Sequence, residues 1–99
     1  MHTPIILHID LGNQSLTSWL KENKYIIHSE LVRYCQILLE NKLDYVQAIM
    51  VSNLSDNVVF FIKKENVQMT LDKAMEYFLS IEEYEQCDKI KNCLYLLKN

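Results

Sequence analysis

Glycine, proline, arginine and tryptophan each occur once in the 99 residues. One glycine excludes a collagen-like chain, a flexible linker and the glycine-rich loops that cradle phosphates. A lone arginine, Arg33, and no basic run longer than Lys63-Lys64 leave little with which to grip a nucleic-acid backbone. No C-x-x-C, H-x-x-x-H or H-E-x-x-H spacing exists, and His2, His8 and His28 are scattered, so no metal and no cofactor are expected. The apolar run Ile5–Ile9 is interrupted by His8 and closed by Asp10, too short for a signal core or a membrane span. The cysteines Cys35, Cys87 and Cys93 are odd in number and fit no closed disulfide framework. Those absences point to a reducing, cytoplasmic setting without membrane contact, with the three thiols buried as small apolar groups.

What is present can build a core. The chain is 49% hydrophobic and 23% charged, with a net charge of −3. That balance suits one globular domain over residues 1–99, burying roughly two-thirds of the surface of the unfolded chain. Abundant Ile, Lys, Asn and Tyr beside scarce Ala, Gly, Pro and Arg imply an A/T-rich genome, as in low-GC bacteria and their phages.

The elements follow from periodicity. Pro4–Asp10 alternates with period two and carries β-branched residues, so it reads as a strand. Leu11–Ser15 is a loop with the glycine at its turn. Ser15 or Ser18 caps a short helix carrying Leu16, Trp19 and Leu20, which ends at Asn23-Lys24. Tyr25–His28 fits either a helical turn or a buried extended link. Ser29 then reads as the cap of a longer helix to about Lys42, with Leu31, Tyr34, Cys35, Leu38 and Leu39 as its stripe. Tyr45–Ser52 and Asn57–Lys64 read as a hairpin across Asn53–Asn57.

Thr70 begins a helix with Leu71, Ala74, Met75 and Phe78 on one face. Ser80-Ile81-Glu82-Glu83 matches a capping box, with Leu79 and Tyr84 at the staple positions. The next stripe runs Tyr84, Cys87, Ile90, Leu94 and Leu97, so the chain breaks near Ser80 into two helices. The expectation is an α+β fold in the order β-α-α-β-β-α-α, a small antiparallel sheet of about three strands with about four helices.

Chemistry is sparse. His8 and Asp10 share a face of the first strand, and with Cys35 they are the one catalytic grouping worth testing for convergence. Glu85 and Lys89 have the spacing and order of a helix-surface ion pair. Glu76, Glu82, Glu83, Glu85 and Asp88 concentrate acid in the last third, while Tyr77 and Tyr95 lie off the main stripes. Tyrosine joins contact area to a polar tip, which suits interfaces. Tyr77, Glu82, Glu83, Glu85, Asp88 and Tyr95 therefore form the candidate surface for a protein partner with a basic face.

The run Tyr84-Glu85-Gln86-Cys87-Asp88-Lys89-Ile90-Lys91-Asn92 resembles the UVR motif, a helical hairpin that docks proteins to one another. Tyr84-Glu85 matches its aromatic-Glu pair, Cys87 a small position, and Ile90 and Lys91 the aliphatic and basic positions. Asp88 and Asn92 depart from it. The resemblance covers the last third of the chain and implies a docking hairpin. The sequence thus points to a non-catalytic protein-binding module: an adaptor, an inhibitor or an accessory subunit. Self-association through the Val58–Ile62 edge or the Leu94–Leu97 end would give a homodimer. The alternative is a dimeric nucleic-acid-linked regulator, which needs Lys21, Lys24, Arg33, Lys63 and Lys64 on one face.

Overall fold

The computed structural model describes residues 7–98, and of Leu7 and Ala48 the backbone only. The chain runs β1 (Leu7–Asp10), α1 (Leu16–Glu22), α2 (Lys24–Glu40), β2 (Tyr45–Ser52), β3 (Asn57–Lys63), a 3-10 turn (Lys64–Asn66), α3 (Val67–Ser80) and α4 (Tyr84–Lys98). This is the expected α+β order. The expected start of the first strand at Pro4 lies outside the described residues. The thinnest dimension, 18 Å, holds two layers and no third.

The sheet corrects one expectation. β2 and β3 form the antiparallel hairpin, but β1 pairs with β2 in parallel, Leu7 opposite Ile49 and Asp10 opposite Ser52. The sheet is therefore mixed, in the order β1-β2-β3. The two helices between β1 and β2 carry the chain back to the starting end, which a parallel pairing requires. A register shift between Gln47 and Ile49 leaves Ala48 as the extra residue of a bulge. On the covered face Val46, Ile49, Val51 and Ile62 are buried; on the other, Tyr45 and Phe61 are exposed.

The loops show why few glycines suffice. Asn53 Oδ1 accepts from the Ser55 and Asp56 amides (3.0 and 2.8 Å), and Asp56 Oδ1 accepts from the Asn57 amide (2.8 Å). The Asn53 amide closes the turn onto the Asp56 carbonyl at 2.9 Å. Gly12 has φ +60°, and its amide donates to Asp10 Oδ1 (3.0 Å). Open space surrounds the missing Cβ, so the backbone angle demands glycine here.

Helix starts moved toward buried residues. Ser15, rather than Ser18, caps α1, its hydroxyl accepting from the Ser18 amide (3.4 Å). Ser29 caps nothing; α2 starts at Lys24, and Tyr25–His28 is helical. Ile27 extends the Leu31, Cys35 stripe back by one turn and is buried, which outweighs the cap signal. Thr70 likewise lies inside α3, which begins at the buried Val67 and keeps the Leu71, Ala74, Phe78 spacing.

The capping box at Ser80 is not formed. Ser80 is the last residue of α3, and its hydroxyl donates to the Tyr77 carbonyl (2.6 Å). Glu82 instead takes a left-handed φ of 59°. The Glu82 amide donates to the Leu79 carbonyl (3.2 Å) and the Glu83 amide to the Phe78 carbonyl (2.9 Å). Those two bonds are a Schellman motif, which uses the final carbonyls of α3. The end of α2 repeats it: Lys42 has φ 52°, with Lys42 and Leu43 amides on the Leu39 and Leu38 carbonyls. In a chain with one glycine, Lys42 and Glu82 fill positions that glycine occupies most readily.

Candidate functional site

The corner between α3 and α4 sets exposed apolar side chains next to acid. Leu79 (51% exposed), Ile81 (42%) and Tyr84 (60%) flank Glu82 and Glu83, with Glu85 one residue on. Periodicity places Tyr84 in the buried stripe, with Leu79 as its staple partner; both are exposed. The buried face of α4 is Cys87, Ile90 and Cys93, and Tyr84 lies about 120° round the helix from its centre. Tyr84, Asp88 and Tyr95 fall within about 40° of one another on the outer face, and Asp88 and Tyr95 are exposed as well.

Tyr25 of α2, absent from the sequence-based site, buttresses this corner. Its ring meets Phe78 edge-on at 5.4 Å, and its hydroxyl lies 3.5 Å from Glu83 Oε2 and 3.4 Å from Gln86 Nε2. Both polar contacts are long and contribute little beyond orientation. No sequence spacing links Tyr25 to Glu83, 58 positions away, so only the fold brings them together. Among the described residues no cation lies within 4.0 Å of Glu82, Glu83, Glu85 or Asp88, the sole ion pair being Arg33–Glu30 at 3.2 Å. The expected Glu85–Lys89 pair is thus not formed. Glu85 in the first turn of α4 also complements the positive end of the helix, which accounts structurally for one of these acids.

Tyr77 does not join the corner. It is half-buried and stacks on His28 at 4.8 Å and 24°, beside a cleft of about 500 Å³ lined by Lys24, Lys73, Glu76 and Ser80. His28 Nδ1 is buried without a hydrogen-bond partner. Burial, then the Lys24 charge, hold the imidazole below its usual pKa. A group that protonates less readily when folded favours the unfolded chain in acid. Stability should hold above about pH 6.5, the unfolded histidine value, and fall as pH drops from there through the lowered folded value. His28→Phe, which keeps a ring against Tyr77, should flatten that slope. Urea midpoints at pH 8 and pH 5.5 test this, and equal acid losses in both proteins would remove His28 as the cause.

The catalytic grouping does not assemble. His8 is exposed, with Nε2 3.2 Å from Ser52 Oγ, and Asp10 is used by the Gly12 turn. Cys35 is fully buried, and burial, with Cys93 nearby, pushes its thiol up to about 12. A thiol so protonated is no nucleophile at neutral pH. Cys87 and Cys93 are also buried and free. Among the described residues no three His, Cys, Asp or Glu side chains gather as metal ligands, and no helix is long and apolar enough to cross a membrane.

The basic face required for nucleic acid is dispersed. Lys24 borders the His28 cleft, Arg33 a second one with Lys89, and Lys64 a third with Lys42 and Lys98. Lys21 and Lys63 are exposed on α1 and β3. No protein family, no curated protein and no solved structure matches the chain, so the functional reading rests on its own residues.

Proposed function

We propose that this protein is a non-catalytic protein-binding module, an adaptor, inhibitor or accessory subunit, that docks through the α3–α4 corner. The observation that carries the reading is the exposure of Leu79, Ile81 and Tyr84 beside acids that have no cation within 4.0 Å among the described residues. Apolar contact area ringed by unneutralised charge is what a partner with a basic-rimmed apolar pocket complements. Tyr84 is the anchor, being the large aromatic of the group. Asp88 and Tyr95 extend the surface along the outer face of α4. The likeness of Tyr84–Asn92 to the UVR motif supports the same helix pair as the docking element.

The nucleic-acid reading is weaker because its five basic residues border different clefts or none. The discriminating experiment is a tagged pull-down from the source cell at moderate salt, comparing the wild type with Tyr84→Ser/Glu85→Lys. Both positions are exposed, so the fold should stand, checked by circular dichroism. The expected result is a stoichiometric protein captured by the wild type and lost at least about tenfold by the variant, the scale of a removed aromatic anchor. Equal capture by both would take the corner out of consideration. An eluate of bait with nucleic acid alone would favour the regulator.

A further inference from the structure

A second site lies at the other end of α4, about 20 Å from the corner by helix rise. Leu38, Leu39 and Leu43, from the end of α2 and the segment after it, face Leu96 and Leu97 of the last turn of α4 across a groove of about 700 Å³. That volume lies in the range of small-molecule sites. Lys42, Lys64 and Lys98 rim it, each from a different element, and Glu40 is the lone acid in its lining. The chain as a whole has 13 acids to 10 bases, so a three-to-one basic rim is a local departure from composition.

Helix ends explain part of this charge. Lys42 and Lys98 follow or end helices, where a cation offsets the negative pole. Lys64 opens the 3-10 turn and has no such reason to be there. Among the described residues none of the three ammonium groups has a carboxylate within 4.0 Å. The last carbonyls of α2 are already used: Ile37, Leu38 and Leu39 accept from the Asn41, Leu43 and Lys42 amides. At the α2 end an anion therefore meets ammonium groups beside carbonyls already in use.

The lining holds leucines and charges but no neutral polar side chain. A peptide would bury backbone N–H and C=O groups that find few partners there. An alkyl chain has none to satisfy. We propose that this groove binds a single-chain amphipathic anion, a fatty carboxylate. The tail lies on Leu39, Leu43, Leu96 and Leu97, over the buried Leu38, and the carboxylate sits among Lys42, Lys64 and Lys98. This site is separate from the corner and does not rest on the protein-binding reading.

The test is an amide-shift titration of the full chain with decanoate, below micelle formation, and with decyltrimethylammonium, which has the same tail and the opposite charge. Saturable shifts confined to residues 38–43, 64 and 94–98 with decanoate, and weaker ones with the cation, are expected. Lys64→Glu/Lys98→Glu should weaken decanoate about tenfold, two exposed charge pairs turned repulsive, and added salt should weaken it too. Leu96→Gln, at an exposed position, should weaken it through the tail while leaving the fold intact. Equal binding of both tails, shifts elsewhere or none, or an unchanged affinity in the lysine variant would each overturn the proposal. So would an acidic leucine-rich peptide that moves the same amides where decanoate does not.

Discussion

Phe78→Ala is expected to remove about 3–5 kcal/mol of folding stability, the cost of emptying a fully enclosed aromatic site. A domain of this size has a total of about 5–15 kcal/mol, so the variant should lose a large share of its stability. The ring is fully buried and meets Tyr25 at 5.4 Å, Tyr77 at 5.3 Å and His28 at 6.2 Å. Its carbonyl accepts the Glu83 amide that ends α3. Phe78 thereby joins α2 to α3 and sets the turn into α4. Urea denaturation measures the loss, with Tyr84→Ser as an exposed control expected to stay within about 0.5 kcal/mol. A Phe78→Ala loss below about 1 kcal/mol would mean the ring is not enclosed as described.

Lys42→Gly and Glu82→Gly should both stabilise the protein. A left-handed backbone costs a side-chain-bearing residue about 1–2 kcal/mol, and glycine returns about half of that gain through its freer unfolded chain. Each change should add about 0.5–1 kcal/mol, and sites at the ends of different helices should add together. The midpoint of thermal unfolding should rise by about 4–8 °C per kcal/mol. Gly12→Ala, at φ +60° with open space around it, should move the other way. No rise in either glycine variant would show that the two Schellman turns carry no strain. Glu82→Gly also removes one acid from the corner, so weaker partner binding with a higher melting point would separate binding from folding.

Much of the fold could be read from residue spacing. The two hairpin strands, the short first helix and the break between the last two helices all follow from period two, period 3.6 and a phase change near Ser80. The parallel pairing of β1 could not be read, because alternation says which face a strand buries and not which way its neighbour runs. Ser29 and Thr70 read as helix starts, and Ser29 and Ser80 as caps worth about 1 kcal/mol. At the first two positions the helix runs back past the signal to Ile27 and Val67, whose burial is worth about 1.5–3 kcal/mol each. Ser80 yielded to a cap built from backbone amides. The acids and Tyr95 of the candidate surface were legible as positions off the apolar stripes. Tyr25 was not, since it reaches the corner from a distant helix. Tyr77 was misplaced because its partner, His28, stands on another element.

The mixed sheet sets the order in which the chain can afford to close its loops. The β2–β3 turn spans about four residues, whereas β1 reaches β2 only across about forty, so its closure costs roughly 2 kcal/mol more chain entropy. Among the described residues four of β1 hold that closure, Leu7 to Asp10 against Ile49 to Ser52. The hairpin is a local closure, and β1 is expected to dock after it. Any fluctuation that frees β1 opens the longest loop in the molecule while leaving β2 paired with β3, and exposes the flank of β2 as a fresh strand edge.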